Sequence, residues 1–216
     1  IHNHFDQYLN VKELILRFKP KHIVECGAAY GENTKKLISL LSVYKFKLTV
    51  ISDNIVLDFN RFKYDPEIHN ADYIRGISYN VLSEMPDNSI DMCIIDTDHN
   101  YWTLMKELSA LHSKLRRDGL ILFHDINTFY FNSGVMFAYS NGERYPQKEI
   151  EDDGIRLGSL GTAVIDFMHD HRFDYKLLKY AEESHGGLAI QKVCINGVGF
   201  YSTAEKVMEM EKACQD

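Results

Sequence analysis

The 216-residue chain carries 31 acidic against 24 basic side chains, a formal net charge of −7, with 45% hydrophobic and 12% aromatic residues. That balance argues against a general nucleic-acid surface, which needs clustered Lys and Arg, and no stretch approaches the roughly 20 apolar residues of a membrane span. A chain of this length buries a full core and is expected to make one domain over residues 1–216.

The opening IHNHFDQYLN lacks the basic and apolar regions of a secretion signal, so a cytoplasmic location is the expectation. Val11 to Phe18 sets Leu14, Ile15 and Phe18 at helical spacing, and Pro20 stops that helix before a strand at His22-Ile23-Val24-Glu25. Two glycines, Gly27 and Gly31, follow, and a helix opens at Asn33-Thr34 and runs to Leu41. Lys47 to Ser52 is a second strand and Asp72 to Gly76 a third. Val81-Leu82 begins a short helical or turn segment, and Ile90 to Ile95 is a fourth strand. This run is apolar nearly throughout, as in parallel sheets covered on both faces. Tyr101 to Leu115 repeats Leu104, Leu108, Leu111 and Leu115 on a helix face. The basic cluster Lys114-Leu115-Arg116-Arg117 reads as the last turn of that helix, where cations suit the dipole. Asp118-Gly119 then turns into a fifth strand, Leu120 to Phe123.

Beyond Asp125 the periodicity fades. Residues 127–158 mix aromatics, Gly, Pro and acids, a composition and length that predict a lid or acceptor-shaping insertion. The aromatics Phe129, Tyr130, Phe131, Phe137 and Tyr139 fit a pocket lid or the face of a homodimer equally well. Helical spacing returns from Ser159 to His169. Tyr175–Tyr180 and Leu188–Val193, joined by Glu183-Ser184-His185-Gly186-Gly187, read as an antiparallel hairpin. A short strand at Val198–Tyr201 and a helix at Ala204–Ala213 close the chain. The alternation predicts an α/β fold with a single Rossmann-like, doubly wound sheet, mostly parallel with an antiparallel C-terminal hairpin. Cys26, Cys93, Cys194 and Cys214 have no paired short spacing, so neither a disulfide nor a zinc site is expected from them. His169, Asp170 and His171 resemble a metal triplet but fall where a helix should end, among ordinary exposed polar residues.

Ligands of open α/β sheets bind outside the carboxyl ends of the strands, near the switch in strand order. Here those ends are Glu25 to Gly27, Ser52-Asp53, Gly76-Ile77-Ser78, Asp96 to His99, and His124-Asp125. The glycine turn lacks both the G-x-G-x-x-G fingerprint and a P-loop lysine. Its spacing E-x-G-x-x-x-G-x-x-T instead resembles the first motif of the class I S-adenosylmethionine-dependent methyltransferases. The resemblance implies that Glu25, Gly27, Ala28, Tyr30, Gly31 and Thr34 lie under the cofactor's amino-acid and ribose portions. It also implies that Asp53 takes the ribose hydroxyls and that Gly76, Ile77 and Ser78 form the adenine-contacting loop. Many relatives carry Asp at the position of Ile77, so adenine recognition would fall to backbone groups and Ser78.

The segments IIDTDHNYWTLMKEL (94–108) and DGLILFHDI (118–126) are similar to the branch that includes catechol, caffeoyl-CoA and sugar O-methyltransferases. That branch implies a magnesium site with Asp96 and Asp125 as ligands. His124 stands where Asp or Asn is usual, and imidazole suits Zn, Fe, Ni or Mn better than Mg. Two arrangements remain open: a divalent ion on Asp96 and Asp125 with or without His124, and a metal-free site in which histidine takes over acid–base work. His99 and His124 are the competing general bases, with Asp96 as the third candidate catalytic residue. Asp98 is expected to cap the helix that starts near Tyr101, and Trp102 to pack rather than stack on adenine. The function implied is O-methylation of a small-molecule hydroxyl on a sugar, phenol or natural-product alcohol. The rivals are a hydroxylase-like enzyme of antibiotic pathways on the same scaffold and a non-catalytic cofactor-binding module.

Overall fold

In a computed structural model the protein is described at residues 9–28, 31–52, 71–98, 101–126, 139–140, 143–144, 160–172, 174–181 and 186–193. A seven-stranded sheet organises them: β1 (His22–Cys26), β2 (Lys47–Ser52), β3 (Ala71–Arg75), β4 (Ile90–Ile95), β5 (Leu115–His124), β8 (Tyr175–Ala181) and β9 (Gly187–Lys192). Between β5 and β8 in sequence, β6 (Tyr139–Ser140) and β7 (Glu143–Arg144) pair as a separate two-stranded ribbon. The large sheet has the order β3-β2-β1-β4-β5-β9-β8. Its pairings are parallel from β3 through β5, and β9 runs antiparallel to both neighbours, β5 and β8. This is the expected doubly wound sheet with its antiparallel hairpin at one edge.

Alternate strand residues feed two cores. Ile23, Met92, Ile94, Leu120 and Leu122 face α1 (Val11–Phe18) and α2 (Glu32–Tyr44). Val24, Cys26, Cys93, Ile95, Ile121 and Phe123 face α3 (Ser78–Glu84), α4 (Tyr101–Lys114) and α5 (Leu160–Asp170). Strands covered on both faces account for the unbroken apolar runs of the sequence. Helix α1 begins where the Asn10 side chain accepts the Glu13 N–H at 3.2 Å, and it buries Val11, Leu14 and Ile15. Lys19, at φ 48°, ends it before Pro20. The short segment at Val81-Leu82 is the middle of α3, with Leu82 fully buried.

One expectation is corrected. The basic cluster does not close a helix: α4 stops at Lys114, and Leu115, Arg116 and Arg117 already belong to β5. Leu115 pairs with Ile90 and Leu120 with Met92, so the extra β5 residues bulge out at Asp118, whose φ is 65°. The cations serve the turn before β4 instead. Lys114 Nζ lies 2.7 Å from Asp87 Oδ1, and Arg116 donates to the Asn88 carbonyl at 2.7 Å and approaches Asp91 at 3.3 Å. The carbonyls at the α4–β5 junction are met by a buried lysine of the neighbouring β9, Lys192, which donates to His112 O at 2.6 Å and Leu115 O at 3.1 Å. Cys26 and Cys93 are free, buried thiols with sulfurs 4.0 Å apart. Their mutual contact and burial push the Cys26 thiol well above its ordinary range, which leaves it unreactive. The expected strand at 198–201, the helix at 204–213, Cys194 and Cys214 lie outside the described residues, as does the 127–158 insertion apart from the backbone of β6 and β7.

At the amino end of β1 the His22 ring is satisfied on both sides as a neutral imidazole. Nδ1 is 3.0 Å from the Ser89 carbonyl, so it donates there, and Nε2 is left to accept from Thr49 Oγ1 at 2.9 Å. Burial lowers its pKa below the ordinary 6.5. Below about pH 6.5 the unfolded chain therefore binds a proton that the folded chain refuses, and stability declines as pH falls through that window. Urea unfolding at pH 7.5 and pH 5.5 is expected to show a smaller pH-dependent loss in His22→Gln than in the parent; equal losses would contradict this reading.

Candidate functional site

Strand order reverses between β1 and β4, and at this point the two strands are tied together beyond their ladder. Gly27 N–H donates to Ile51 O and Asp96 N–H to Cys26 O, each at 2.9 Å. Gly27 then turns at φ 84°. A Cβ there would sit 2.0 Å from the Asp96 carbonyl oxygen and 3.0 Å from Thr97 Cα, so glycine is required by both conformation and space. Ala28 O accepts the Gly31 N–H at 2.6 Å, and Gly31, at φ 77°, is the N-cap of α2. The two glycines of the E-x-G-x-x-x-G spacing thus bracket a turn whose first residue lies directly over the end of β4.

Behind the turn Glu25 is 1% exposed. Thr34 Oγ1, fully buried on α2, donates to Glu25 Oε2 at 2.7 Å. The other oxygen, Oε1, is buried with no hydrogen-bond partner among the described residues. Burial raises this carboxyl to about 8, against the lowering effect of Thr34 and with a further push from Asp96. Such a group holds a proton at neutral pH unless a cation or donor is brought to it.

Across the crevice, β4 ends in Asp96 and β5 in His124 and Asp125. His124 Nδ1 is 3.0 Å from Asp125 Oδ1 and 3.3 Å from Asp96 Oδ1. Burial alone would lower this imidazole; contact with Asp125 and Asp96 and their negative charge outweigh it and raise it to about 10. In this state the ring is an imidazolium bridging two carboxylates. Asp125 holds φ 56°, a left-handed conformation that aims its side chain back at the ring. The three ligand atoms lie within 4.8 Å of one another. Two carboxylates and an imidazole nitrogen in that reach fit a divalent ion, and the nitrogen favours Mn, Fe or Zn over Mg. A small cleft lined by Ile95, Asp96, Thr97, Asp98, Leu104, Phe123, His124 and Leu160 opens beside them.

Between the turn and this cluster lies a residue that the sequence reading passed over. Glu107 on α4 is fully buried and accepts from Ser78 Oγ and from Thr97 Oγ1, the latter at 2.9 Å. It locks the loop after β3 to the end of β4. The signal was present: Glu107 stands on the apolar stripe of Leu104, Leu108 and Leu111, where a solvated acid has no place. Ser78 opens α3, with Ile77 at its N-cap and Gly76 N–H donating to Ser52 O at 3.2 Å. Asp98 accepts from Thr103 Oγ1 at 3.5 Å in the first turn of α4, and Lys106 Nζ lies 5.3 Å from the ring centres of both Tyr79 and Trp102. The structure therefore brings Glu25, Gly27, Ala28, Gly31, Thr34, Gly76, Ile77, Ser78, Asp96, His124 and Asp125 to one edge of the sheet. Tyr30, Asp53 and His99 lie outside the described residues.

Residues 24–126 match a family model described as a methyltransferase domain. Over that segment the chain carries a methyltransferase domain. The matched segment spans β1 to β5 and so contains both the glycine turn and the acid–histidine cluster. No curated protein sequence matches the chain. Among solved structures, a candidate O-methyltransferase of Klebsiella pneumoniae is 13% identical with a TM-score of 0.62, covering 90% of this chain and 82% of that one. A candidate caffeoyl-CoA O-methyltransferase of Staphylococcus aureus is 16% identical, TM-score 0.60, covering 89% and 84%. The O-methyltransferase of Bacillus cereus in complex with SAH is 12% identical, TM-score 0.53, covering 85% and 79%. At these identities the likeness is one of fold.

Replacing Gly27 by Ala forces a left-handed alanine into the Asp96 carbonyl. The domain is expected to lose roughly 2–5 kcal/mol, seen in a thermal melt as a drop of about 5–15 °C; an unchanged melting temperature would show that the turn can open without cost.

Proposed function

We propose that this methyltransferase domain transfers a methyl group to the hydroxyl of a small-molecule acceptor held at the Asp96–His124–Asp125 cluster, with the cofactor across the Gly27 turn. One observation carries the reading: Asp96 belongs to both halves. Its backbone N–H and carbonyl define the turn, and its carboxylate faces the cluster. A donor laid on the turn and an acceptor at the cluster are then neighbours, and positioning of this kind supplies much of the acceleration in a two-substrate displacement.

The chain's own residues divide the work. Glu25 Oε1, which has no partner among the described residues, suits the cofactor's ammonium. Gly76 to Ser78, fixed through Glu107, offers backbone groups to adenine, and Asp53 takes the ribose hydroxyls by its place after β2. His99, by its place in the sequence after β4, receives the acceptor's proton. Asp96, Asp125 and His124 would hold a divalent ion, which when bound lowers the pKa of an acceptor hydroxyl and orients it. Sugars, phenols and natural-product alcohols are the acceptor classes.

Two measurements test this. Calorimetric titration with S-adenosylhomocysteine at pH 7 in two buffers of different ionisation enthalpy is expected to show release approaching one proton per molecule bound, because the ligand's ammonium forces Glu25, raised to about 8, to ionise. Glu25→Gln should abolish the release and weaken binding about tenfold. For chemistry, an acceptor screen following S-adenosylhomocysteine formation with Mg, Mn, Zn and chelator is expected to find turnover. Asp96→Asn and His99→Ala should each lower that turnover by roughly 10²–10⁴ while leaving cofactor affinity within a few fold; retained activity would remove the residue from the mechanism.

A further inference from the structure

At the opposite edge of the sheet a second cluster gathers from three separate elements. Helix α4 leaves the site at Tyr101 and runs back across the sheet, so His112, in its last turn, lies near the amino end of β5. His171 follows α5 directly, and Asp174 immediately precedes β8. Asp174 Oδ2 is 3.5 Å from His171 Nδ1 and 3.9 Å from His112 Nε2, and the ligand atoms of all three lie within 4.8 Å of one another. The two imidazoles stack with centroids 4.2 Å apart, backed by Phe167, whose ring centre is 4.6 Å from that of His171. The HDH run at 169–171 does not act as a unit: His169 and Asp170 are largely exposed, and His171 turns toward His112 and Asp174 instead.

The geometry points to a zinc-class divalent cation site formed by His112, His171 and Asp174, which pins the end of α4 to the α5–β8 corner. Three features support it beyond proximity. Asp174 is 6% exposed, and its second oxygen, Oδ1, is buried with no hydrogen-bond partner among the described residues, so a carboxylate has been placed here with acceptor capacity to spare. His112 Nδ1 is 3.2 Å from the Tyr175 hydroxyl. With Nδ1–H donating to that oxygen, the lone pair of Nε2 faces Asp174, the orientation by which a metal-ligating histidine is fixed through its other nitrogen. Finally, a tetrahedral ion with bonds of about 2.0–2.1 Å spaces its ligands roughly 3.3 Å apart; the observed 3.5 Å lies close to that spacing, and the 3.9 Å contact has to close by about 0.6 Å. His171 and His112 side chains are 32% and 19% exposed, which gives the ion a way in and leaves a position for water. The neighbouring Lys192 ammonium is committed to the carbonyls of His112 and Leu115. Imidazole with carboxylate is a donor set that zinc takes readily, whereas magnesium and calcium favour oxygen throughout.

The test uses the full chain stripped with chelator, then titrated with zinc chloride while its melting temperature is followed. Since the acid–histidine cluster of the other edge also binds cations on paper, the titration is run on the parent and on Asp125→Asn. Both are expected to gain roughly 5–10 °C at zinc a hundredfold above the dissociation constant. His171→Ala, a change at a partly exposed position, and Asp174→Asn, each added to Asp125→Asn, should abolish that gain. In case either variant folds poorly, cobalt(II) added to Asp125→Asn should give the visible absorption of a four-coordinate ion, with no alteration of the proposed site. A gain absent from parent and Asp125→Asn, a gain present in the parent but lost in Asp125→Asn, a gain kept when His171→Ala is added to Asp125→Asn, or an octahedral cobalt spectrum would each overturn the assignment. None of these outcomes depends on methyl transfer.

Discussion

Parallel strands β2, β1 and β4 are joined at their carboxyl ends by two backbone bonds, Gly27 to Ile51 and Asp96 to Cys26, and the rest of the site is hung from that junction. Because the chain turns at Gly27 directly over the Asp96 carbonyl, there is no room for a side chain. The same backbone contact fixes the distance between the glycine turn and the Asp96 carboxylate. Both are consequences of one register, Cys26 beside Ile95, and a slip of one residue would send Glu25 and Asp96 to the wrong faces.

Around this junction the molecule gathers acids, Glu25 and Glu107 buried and Asp96 and Asp125 partly exposed. Glu25, Glu107, Asp96 and Asp125 converge from β1, α4, β4 and β5, and each is handled differently. Glu107 is satisfied internally by Ser78 and Thr97, Asp96 and Asp125 are bridged by the His124 ring, and Glu25 has only Thr34 among the described residues. A buried carboxyl that is half satisfied is costly in isolation. A ligand that brings a donor would remove that cost, which is why the proposed site sets the cofactor's ammonium at Glu25. The fully satisfied one, Glu107, is instead a strut that holds the loop after β3 against the loop after β4.

Much of this was legible from the sequence. Apolar runs of strand length, a helix stop at Pro20, and two glycines four residues apart sufficed for the strands of a mostly parallel, doubly wound sheet and for the turn, because period and backbone conformation are local properties. What failed or was missed depended on contacts distant in sequence. The basic run at 114–117 has a helix-end composition, but Leu115 is captured by Ile90, and its charges go to Asp87, Asn88 and Asp91. Lys192 sits in an apolar strand pattern and gives no hint that it caps a helix eighty residues away. His112, His171 and Asp174 are ordinary polar residues until α4, α5 and β8 are folded together. His124, read as a base or a ligand, sits between two carboxylates whose charge only the folded chain brings to it.

The central claim is that the Gly27 turn is the seat of a sulfonium cofactor whose ammonium meets Glu25. A crystal structure of the protein with S-adenosylhomocysteine tests it most directly. The account predicts the ligand's amino-acid portion against Gly27, its ammonium within hydrogen-bond distance of Glu25 Oε1, and adenine beside Gly76 to Ser78. Clear density for the ligand elsewhere, or a Glu25 still without a partner when the turn is occupied, would contradict it.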